Sequence, residues 1–262
     1  MDWTDEAIVL SARKHGENAV ILSLLTRDHG RHLGLVRGGA GRRARGLYES
    51  GNRVQATWQA RLSEHLGHFV CEPIAAQASI LLDEPARLAA LTAAVALVDL
   101  ALPERAPHSR LFEGLGRLID ELCRDAPGAM WATRYARFEI DLLAELGFGL
   151  DLERCAATGT ADDLAYVSPK SGRAVSRAAA EPYRDKLLPL PAFLRSRNEA
   201  PATVGEVLTG LELTGFFLDR HVLAHYSARP REGPGLEART RLVDRLRRMR
   251  ADEAGTSRKI DT

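Results

Sequence analysis

One alternating stretch decides the fold of the first part of the chain: residues 53–62 read Arg-Val-Gln-Ala-Thr-Trp-Gln-Ala-Arg-Leu. Apolar residues occupy every second position from Val54 onward, and most positions between them are polar. Because successive side chains of a strand point to opposite faces, the stretch predicts a strand with one buried face and one solvent face.

Four further apolar runs surround this strand within the first 80 residues, at 7–10, 19–25, 32–36 and 66–72. The turn signal Arg27-Asp28-His29-Gly30 separates the second run from the third. Five short strands with little room for a large helix predict a five-stranded OB-fold barrel at residues 1–80, a scaffold that often binds single-stranded nucleic acid.

The composition changes to Ala/Leu-rich sequence after Asp83-Glu84-Pro85, which predicts a mainly α-helical domain at residues 81–250 and an α+β protein overall. Helices are expected over 86–102, 109–124, 128–146, 204–226 and 236–249. The third is the clearest, because Trp131, Tyr135 and Phe138 fall on one face. Residues 150–191 are expected to be rich in loops, and 251–262 to form a flexible tail.

A glycine- and arginine-rich stretch at 37–46 reads Arg-Gly-Gly-Ala-Gly-Arg-Arg-Ala-Arg-Gly and indicates a loop for a polyanion. Glycine lets backbone N–H groups approach a phosphate, and guanidinium groups bind phosphate oxygens in pairs. A flexible, solvated hairpin tip is the alternative interpretation.

Charge is distributed unevenly, although the whole chain carries only +1. Residues 13–53 contain nine basic residues against three acidic ones, and 229–262 contain ten against six. Such a local excess is typical of a nucleic-acid footprint. The predicted DNA contacts are Arg37, Arg42, Arg43 and Arg45, extended by Arg13, Lys14, Arg31 and Arg53.

Motifs for catalysis, metals and cofactors are not complete in the sequence. Leu47-Tyr48 stands where a phosphate-binding loop needs Lys-Ser/Thr, and His221 and His225 lack the glutamate of a zinc protease helix. Cys155 begins a four-ligand zinc-ribbon spacing in which Thr158, Ser176 and Ala179 occupy the other positions. We therefore expect no catalytic residues, no metal site and no cofactor.

The expected location is the cytoplasm, since the N-terminal residues are acidic and no apolar run reaches the roughly 18 residues of a membrane span. Three cysteines far apart agree with reduced thiols.

Several segments in order resemble the RecO family of bacterial DNA repair and recombination mediators. They are Ala7-Ile8-Val9-Leu10, Gly16-Glu17-Asn18-Ala19-Val20, Leu25-Thr26-Arg27-Asp28-His29-Gly30, Val36-Arg37-Gly38-Gly39-Ala40, Arg134-Tyr135-Ala136-Arg137-Phe138-Glu139-Ile140-Asp141-Leu142-Leu143, Leu146-Gly147-Phe148 and Phe217-Leu218-Asp219-Arg220-His221. The resemblance spans nearly the whole chain. It implies an N-terminal OB-fold, a helical second domain and, in many members, a zinc ribbon at the position of Cys155, which here is degenerate.

The resemblance also implies a function without catalysis. A member of this family binds single- and double-stranded DNA, promotes annealing of complementary strands and works with RecR to load RecA on DNA coated by single-strand-binding protein. The helical domain would capture the C-terminal tail of single-strand-binding protein, for which Arg134 and Arg137 are candidates because they flank the aromatic stripe. The alternative is an OB-fold RNA-binding or adaptor module without annealing activity. The protein is expected in the bacterial cytoplasm, associated with the nucleoid.

Overall fold

The computed structural model describes residues 1–124, 130–195, 202–224 and 234–260. By compactness these residues divide into two units. The first contains the described residues up to 124 together with 234–239, and the second contains the remaining ones. The first unit therefore includes two long helices beyond the predicted OB-fold at 1–80, so the change of composition near residue 80 does not mark the limit of the compact unit.

Five strands form the barrel of the first unit: β1 (Asp2–His15), β2 (Ala19–Thr26), β3 (Gly30–Val36), β4 (Arg53–Gln59) and β5 (His68–Ala75). Their order around the barrel is β1-β2-β3-β5-β4. All neighbours are antiparallel except β3 and β5, which close the barrel through the single parallel pair Leu35 and His68. The predicted five-stranded barrel is confirmed.

The interior of the barrel follows the alternation of the strands. Val54, Ala56 and Trp58 are buried in its core, as the alternating stretch predicts. On β1 the pattern differs, because Ile8 and Leu10 are buried as well as their inward-facing neighbours. Helix α3 (Pro85–Ala101) packs against β1 and covers its outer face, so this strand is apolar on both sides.

Short and long helices complete the first unit: α1 (Arg42–Leu47), α2 (Gln77–Ile80), α3 and α4 (Ser109–Leu122). A polar contact between α3 and the barrel centres on Asp99. Its carboxylate accepts hydrogen bonds from Ser11 Oγ at 2.8 Å and Ser23 Oγ at 2.6 Å. Since charge-assisted hydrogen bonds are stronger than neutral ones, this contact fixes α3 on β1 and β2.

The second unit is built on α5 (Met130–Glu145) and α8 (Val204–Leu218), which pack on each other. Residues 150–191 are more regular than expected. They contain a three-stranded sheet, β6 (Leu164–Val167), β7 (Ala174–Ser176) and β8 (Leu188–Pro189), in the order β7-β6-β8. Helix α6 (Arg177–Ala180), a 3-10 turn (Glu181–Lys186) and α7 (Ala192–Arg195) follow or separate these strands. Strands this short carry too few residues for a periodic pattern to reveal them.

Helix limits differ from the prediction at the C-terminal end. After α8 a π-helical turn covers Asp219–Leu223, and the predicted end of that helix at residue 226 lies outside the described residues. The last helix, α9, spans Pro234–Ile260. The tail expected from 251 is helical in its described part, because α9 continues to Ile260. Within the described residues, none of the helices is long and apolar enough to cross a membrane.

Candidate nucleic-acid interface

One end of the barrel gathers five cationic side chains. Arg13 and Lys14 lie at the end of β1, paired with Ile21 and Val20 at the start of β2. Val20 in turn pairs with Val36, the last residue of β3. Arg37 follows directly, and α1 comes next. We call the group formed by Arg13, Lys14, Arg37, Arg42 and Arg45 the basic surface.

A tight turn and a short helix shape this surface, where the sequence predicted a loop through residue 46. Gly38 has a φ of +71°, a left-handed conformation that suits glycine, and its carbonyl accepts from the Gly41 amide at 3.2 Å. Helix α1 then begins at Arg42, since arginine, alanine and leucine favour helix. Ala44 and Leu47 pack against the barrel core, which leaves Arg42 and Arg45 exposed.

The charges of the basic surface are available for a ligand. All five side chains are exposed. Within the described part of the chain, none of them forms an ion pair or a side-chain hydrogen bond. The side chain of Arg43 lies outside what the structure describes, although its backbone belongs to α1. Unpaired guanidinium groups on one surface suit phosphate oxygens.

Arg31 and Arg53, the other two predicted contacts, lie elsewhere and already have partners. Arg31 Nε donates to the Leu102 carbonyl at 2.8 Å, and its guanidinium lies 3.5 Å from the Asp99 carboxylate. Arg53 Nη2 donates to the Gly116 carbonyl at 3.0 Å and to Asp120 at 2.9 Å. The structure therefore does not bring Arg31 and Arg53 to the basic surface; they attach α3 and α4 to the barrel.

Tyr48 and Trp58 do not present exposed rings to the basic surface. Tyr48, the nearest ring in sequence, is buried, and burial raises its pKa to about 12. Trp58 is also buried. At the opposite end of the barrel Trp3 stacks on His29, with the ring centroids 4.1 Å apart. Sequence patterns do not predict this stack, because Trp3 lies on β1 and His29 in the turn before β3, and only the folded barrel brings them together.

Arg134 and Arg137, the predicted partner contacts on α5, differ in environment. Arg137 donates from Nε and Nη2 to the Phe193 carbonyl, at 3.1 and 2.8 Å, and so holds α7 against α5. Arg134 is exposed. The aromatic stripe beside them is core, since Trp131, Tyr135 and Phe138 are each at most 4% exposed.

The degenerate zinc-ribbon positions are partly brought together in the second unit. The buried thiol of Cys155 donates to Ser176 Oγ at 3.5 Å, and its sulfur accepts from the Ser176 amide at 3.3 Å. Burial raises the pKa of this thiol, but hydrogen bonds with Ser176 and Thr158 outweigh that effect and lower the pKa to about 6. Ala179 offers no donor atom, so this set does not fit the four Cys/His ligands of structural zinc.

Comparison with known proteins identifies the family. The family model described as recombination protein O N terminal matches residues 1–75, and the model described as recombination protein O C terminal matches residues 82–230. The chain belongs to the RecO family. Its RecO relatives include the DNA repair protein RecO of Rhodospirillum rubrum, 52% identical over 96% of this chain and 98% of the relative.

Two further relatives extend the comparison. The DNA repair protein RecO of Rhodospirillum centenum is 56% identical, over 95% of this chain and 96% of the relative's length. That of Mesorhizobium japonicum is 50% identical over 96% of both chains. The expected family is thereby confirmed, and with it a role in DNA repair. The basic surface lies within the residues matched by the N-terminal model, and helices α3 to α8 lie within those matched by the C-terminal model.

Proposed function

We propose that this RecO-family protein binds single- and double-stranded DNA through the basic surface and promotes the annealing of complementary strands. The observation that carries the proposal is the convergence of Arg13, Lys14, Arg37, Arg42 and Arg45 at one end of the barrel, where they are exposed and have no acidic partner among the described residues. Arginines that contact phosphates release counterions and lower the repulsion between two strands. Base pairing then supplies the sequence specificity.

Annealing of this kind needs no catalytic group. The protein supplies positive charge and position, whereas the strands supply the free energy of pairing. We therefore propose a mediator rather than an enzyme, acting in the bacterial cytoplasm on nucleoid DNA.

Family membership also points to partner proteins. We propose cooperation with RecR in loading RecA on DNA coated by single-strand-binding protein. For the C-terminal tail of single-strand-binding protein, Arg134 is the better of the two predicted contacts, because it is exposed whereas Arg137 already binds a carbonyl. The aromatic stripe on α5 is buried, so an apolar contact to the tail must come from other residues of the second unit.

The test is an annealing assay with complementary oligonucleotides, with and without single-strand-binding protein. We expect the protein to accelerate duplex formation, and we expect the variant with Arg42, Arg43 and Arg45 replaced by alanine to lose most of that acceleration. Salt titrations with single-stranded DNA, duplex DNA and RNA separate this function from the alternative. Binding confined to RNA, or binding of DNA without acceleration of annealing, would favour the RNA-binding or adaptor module.

A further inference from the structure

A cleft of about 680 Å³ opens beside α1 in the first unit. Its walls are largely apolar: Ala44 and Leu47 come from α1, and Pro73 and Ala75 come from the end of β5. Of the residues that line it, Arg42 is the charged one, and no carboxylate is among them. The basic surface thus borders an apolar cleft that presents no negative charge to a polyanion.

Asn52 holds the walls of this cleft in place. Its side chain is buried, and Nδ2 donates to the Gly46 carbonyl at 2.8 Å and to the Leu47 carbonyl at 3.3 Å. Its Oδ1 accepts from the Ala78 amide at 3.0 Å. Because the Asn52 side chain is buried and bonded at both Nδ2 and Oδ1, it is not available to read the edge of a base. Recognition in this cleft must come from apolar contact and from the neighbouring cations.

We propose that the cleft binds unpaired bases of single-stranded DNA while their phosphates contact Arg42 and Arg45. The proposal rests on the DNA-binding function proposed above for the same surface. The cleft has the size of a small-molecule site, roughly 300–1,000 Å³. Arg42 and Arg45 lie three residues apart on α1 and therefore face the same side. Apolar contact with the face of a base tolerates any sequence, as annealing requires.

This arrangement distinguishes single strands from duplex. A base in a duplex is paired and stacked, and it must be extruded before it can enter a cleft, which costs free energy. Phosphates of either form can still contact the arginines. The cleft therefore adds affinity for an unpaired strand only. That added affinity is lost when the strand pairs, which favours release of the annealed product.

Gly46 allows a sharp test, because an added Cβ there meets nothing within 4 Å. Replacement of Gly46 by leucine adds an isobutyl group to the wall of the cleft, which narrows it and leaves Arg42 and Arg45 in place. Gly114→Leu on α4 is the matched control, since Gly114 is also helical and also has open space at the Cβ position. Each variant is folded if its melting temperature is no lower than that of the unchanged protein.

The affinities to compare are those for oligothymidylate longer than the roughly 16 nucleotides that an OB-fold occupies, for an abasic oligonucleotide of the same length, and for duplex. We expect the unchanged protein to prefer oligothymidylate to the abasic strand. We expect Gly46→Leu to lower oligothymidylate affinity about tenfold, and to leave the abasic strand and the duplex unaffected. Gly114→Leu should change none of the three.

Two results overturn the inference without touching the proposed function: equal affinity of the unchanged protein for the abasic and thymidine strands, or no effect of Gly46→Leu on oligothymidylate. Equal losses on all three ligands would also overturn it, since the substitution would then act on the arginines. If Gly46→Leu weakens only the binding of a tail peptide of single-strand-binding protein, the cleft holds a peptide and the inference is wrong.

Failure of the proposed function is a separate result, in which alanine substitution of the arginines leaves DNA binding intact.

Discussion

The amide of Ala40 donates a hydrogen bond to the carbonyl of Asn18 over 3.3 Å. This contact joins the turn between β1 and β2 to the glycine turn that follows β3. It holds the glycine turn against the end of the barrel where β1 carries Arg13 and Lys14, and it uses backbone atoms only. The arginine side chains of the basic surface can therefore be replaced without removing this contact.

Alanine at Arg42, Arg43 and Arg45 should weaken DNA binding and reduce its salt dependence without loss of the fold. Each phosphate contact removed should lower the slope of log affinity against log salt by about 0.7 to 0.9. The measurement is a salt titration monitored by fluorescence anisotropy. Alanine at the exposed residues Arg110 and Arg117 of α4 and Arg124 just beyond it removes the same charge and should leave the slope nearly unchanged. An unchanged slope in the first variant places the DNA site elsewhere.

Arg53→Ala should act on stability rather than on DNA. Its guanidinium donates to the Gly116 carbonyl and to Asp120, so the substitution removes both hydrogen bonds and should cost about 1–3 kcal/mol of unfolding free energy. Chemical denaturation measures this loss. Arg13→Ala, at an exposed residue of the basic surface, should do the reverse, with little change in stability and a reduced salt slope. A reduced salt slope for Arg53→Ala would return Arg53 to the DNA contacts.

In the second unit, substitution of Arg137 should affect stability, whereas substitution of Arg134 should affect partner binding. Arg137→Ala removes both bonds to the Phe193 carbonyl and should lower the unfolding free energy by about 1–3 kcal/mol. Arg134→Glu should leave stability nearly unchanged but weaken binding of the acidic tail peptide of single-strand-binding protein, measured by calorimetric titration. Peptide affinity equal to that of the unchanged protein would remove Arg134 as a contact.

The protein should fold and bind DNA without zinc. Cys155 provides one thiolate, and Thr158, Ser176 and Ala179 provide none, so the ribbon positions hold one of the four Cys/His ligands that structural zinc needs. Elemental analysis of protein purified without added metal should find far less than one zinc per chain, and a chelator should not shift the melting temperature. Stoichiometric zinc that disappears in Cys155→Ser would show that ligands come from elsewhere in the chain.

Cys155 should make stability rise with pH. Its thiol has a pKa lowered to about 6, so the folded state favours the thiolate. This contribution is complete above the ordinary thiol pKa of about 8.5 and is lost as the pH falls through about 6. The stability difference between the unchanged protein and Cys155→Ser should therefore grow between these pH values. Burial raises the pKa values of Cys71 and Cys123, so thiolate absorbance that appears near pH 6 belongs to Cys155; absorbance that first appears near pH 8.5 contradicts the prediction.

Local sequence patterns predicted much of the fold. The alternation at 53–62 predicted β4 and the burial of Trp58, and the spacing of Trp131, Tyr135 and Phe138 predicted a core-facing helix. Both patterns act through neighbours a few residues apart, so they can be read without tertiary information. The sheet of β6, β7 and β8 was not predicted. Its strands have four, three and two residues, and the formation of such short strands depends more on their hydrogen-bonding partners than on their own sequence pattern.

The sequence by itself determined the barrel, the helical region, the family and the excess of positive charge in the first part of the chain. Only the tertiary structure decided which charges are available. Arg31 and Arg37 belong to the same short segment, yet Arg31 meets Asp99, which lies 68 residues further along, and Arg37 is exposed. The cleft beside α1 likewise needs β5 to complete its wall. Periodicity and propensity depend on neighbours in sequence, whereas ion pairs and cavities depend on residues that meet only after the chain has folded.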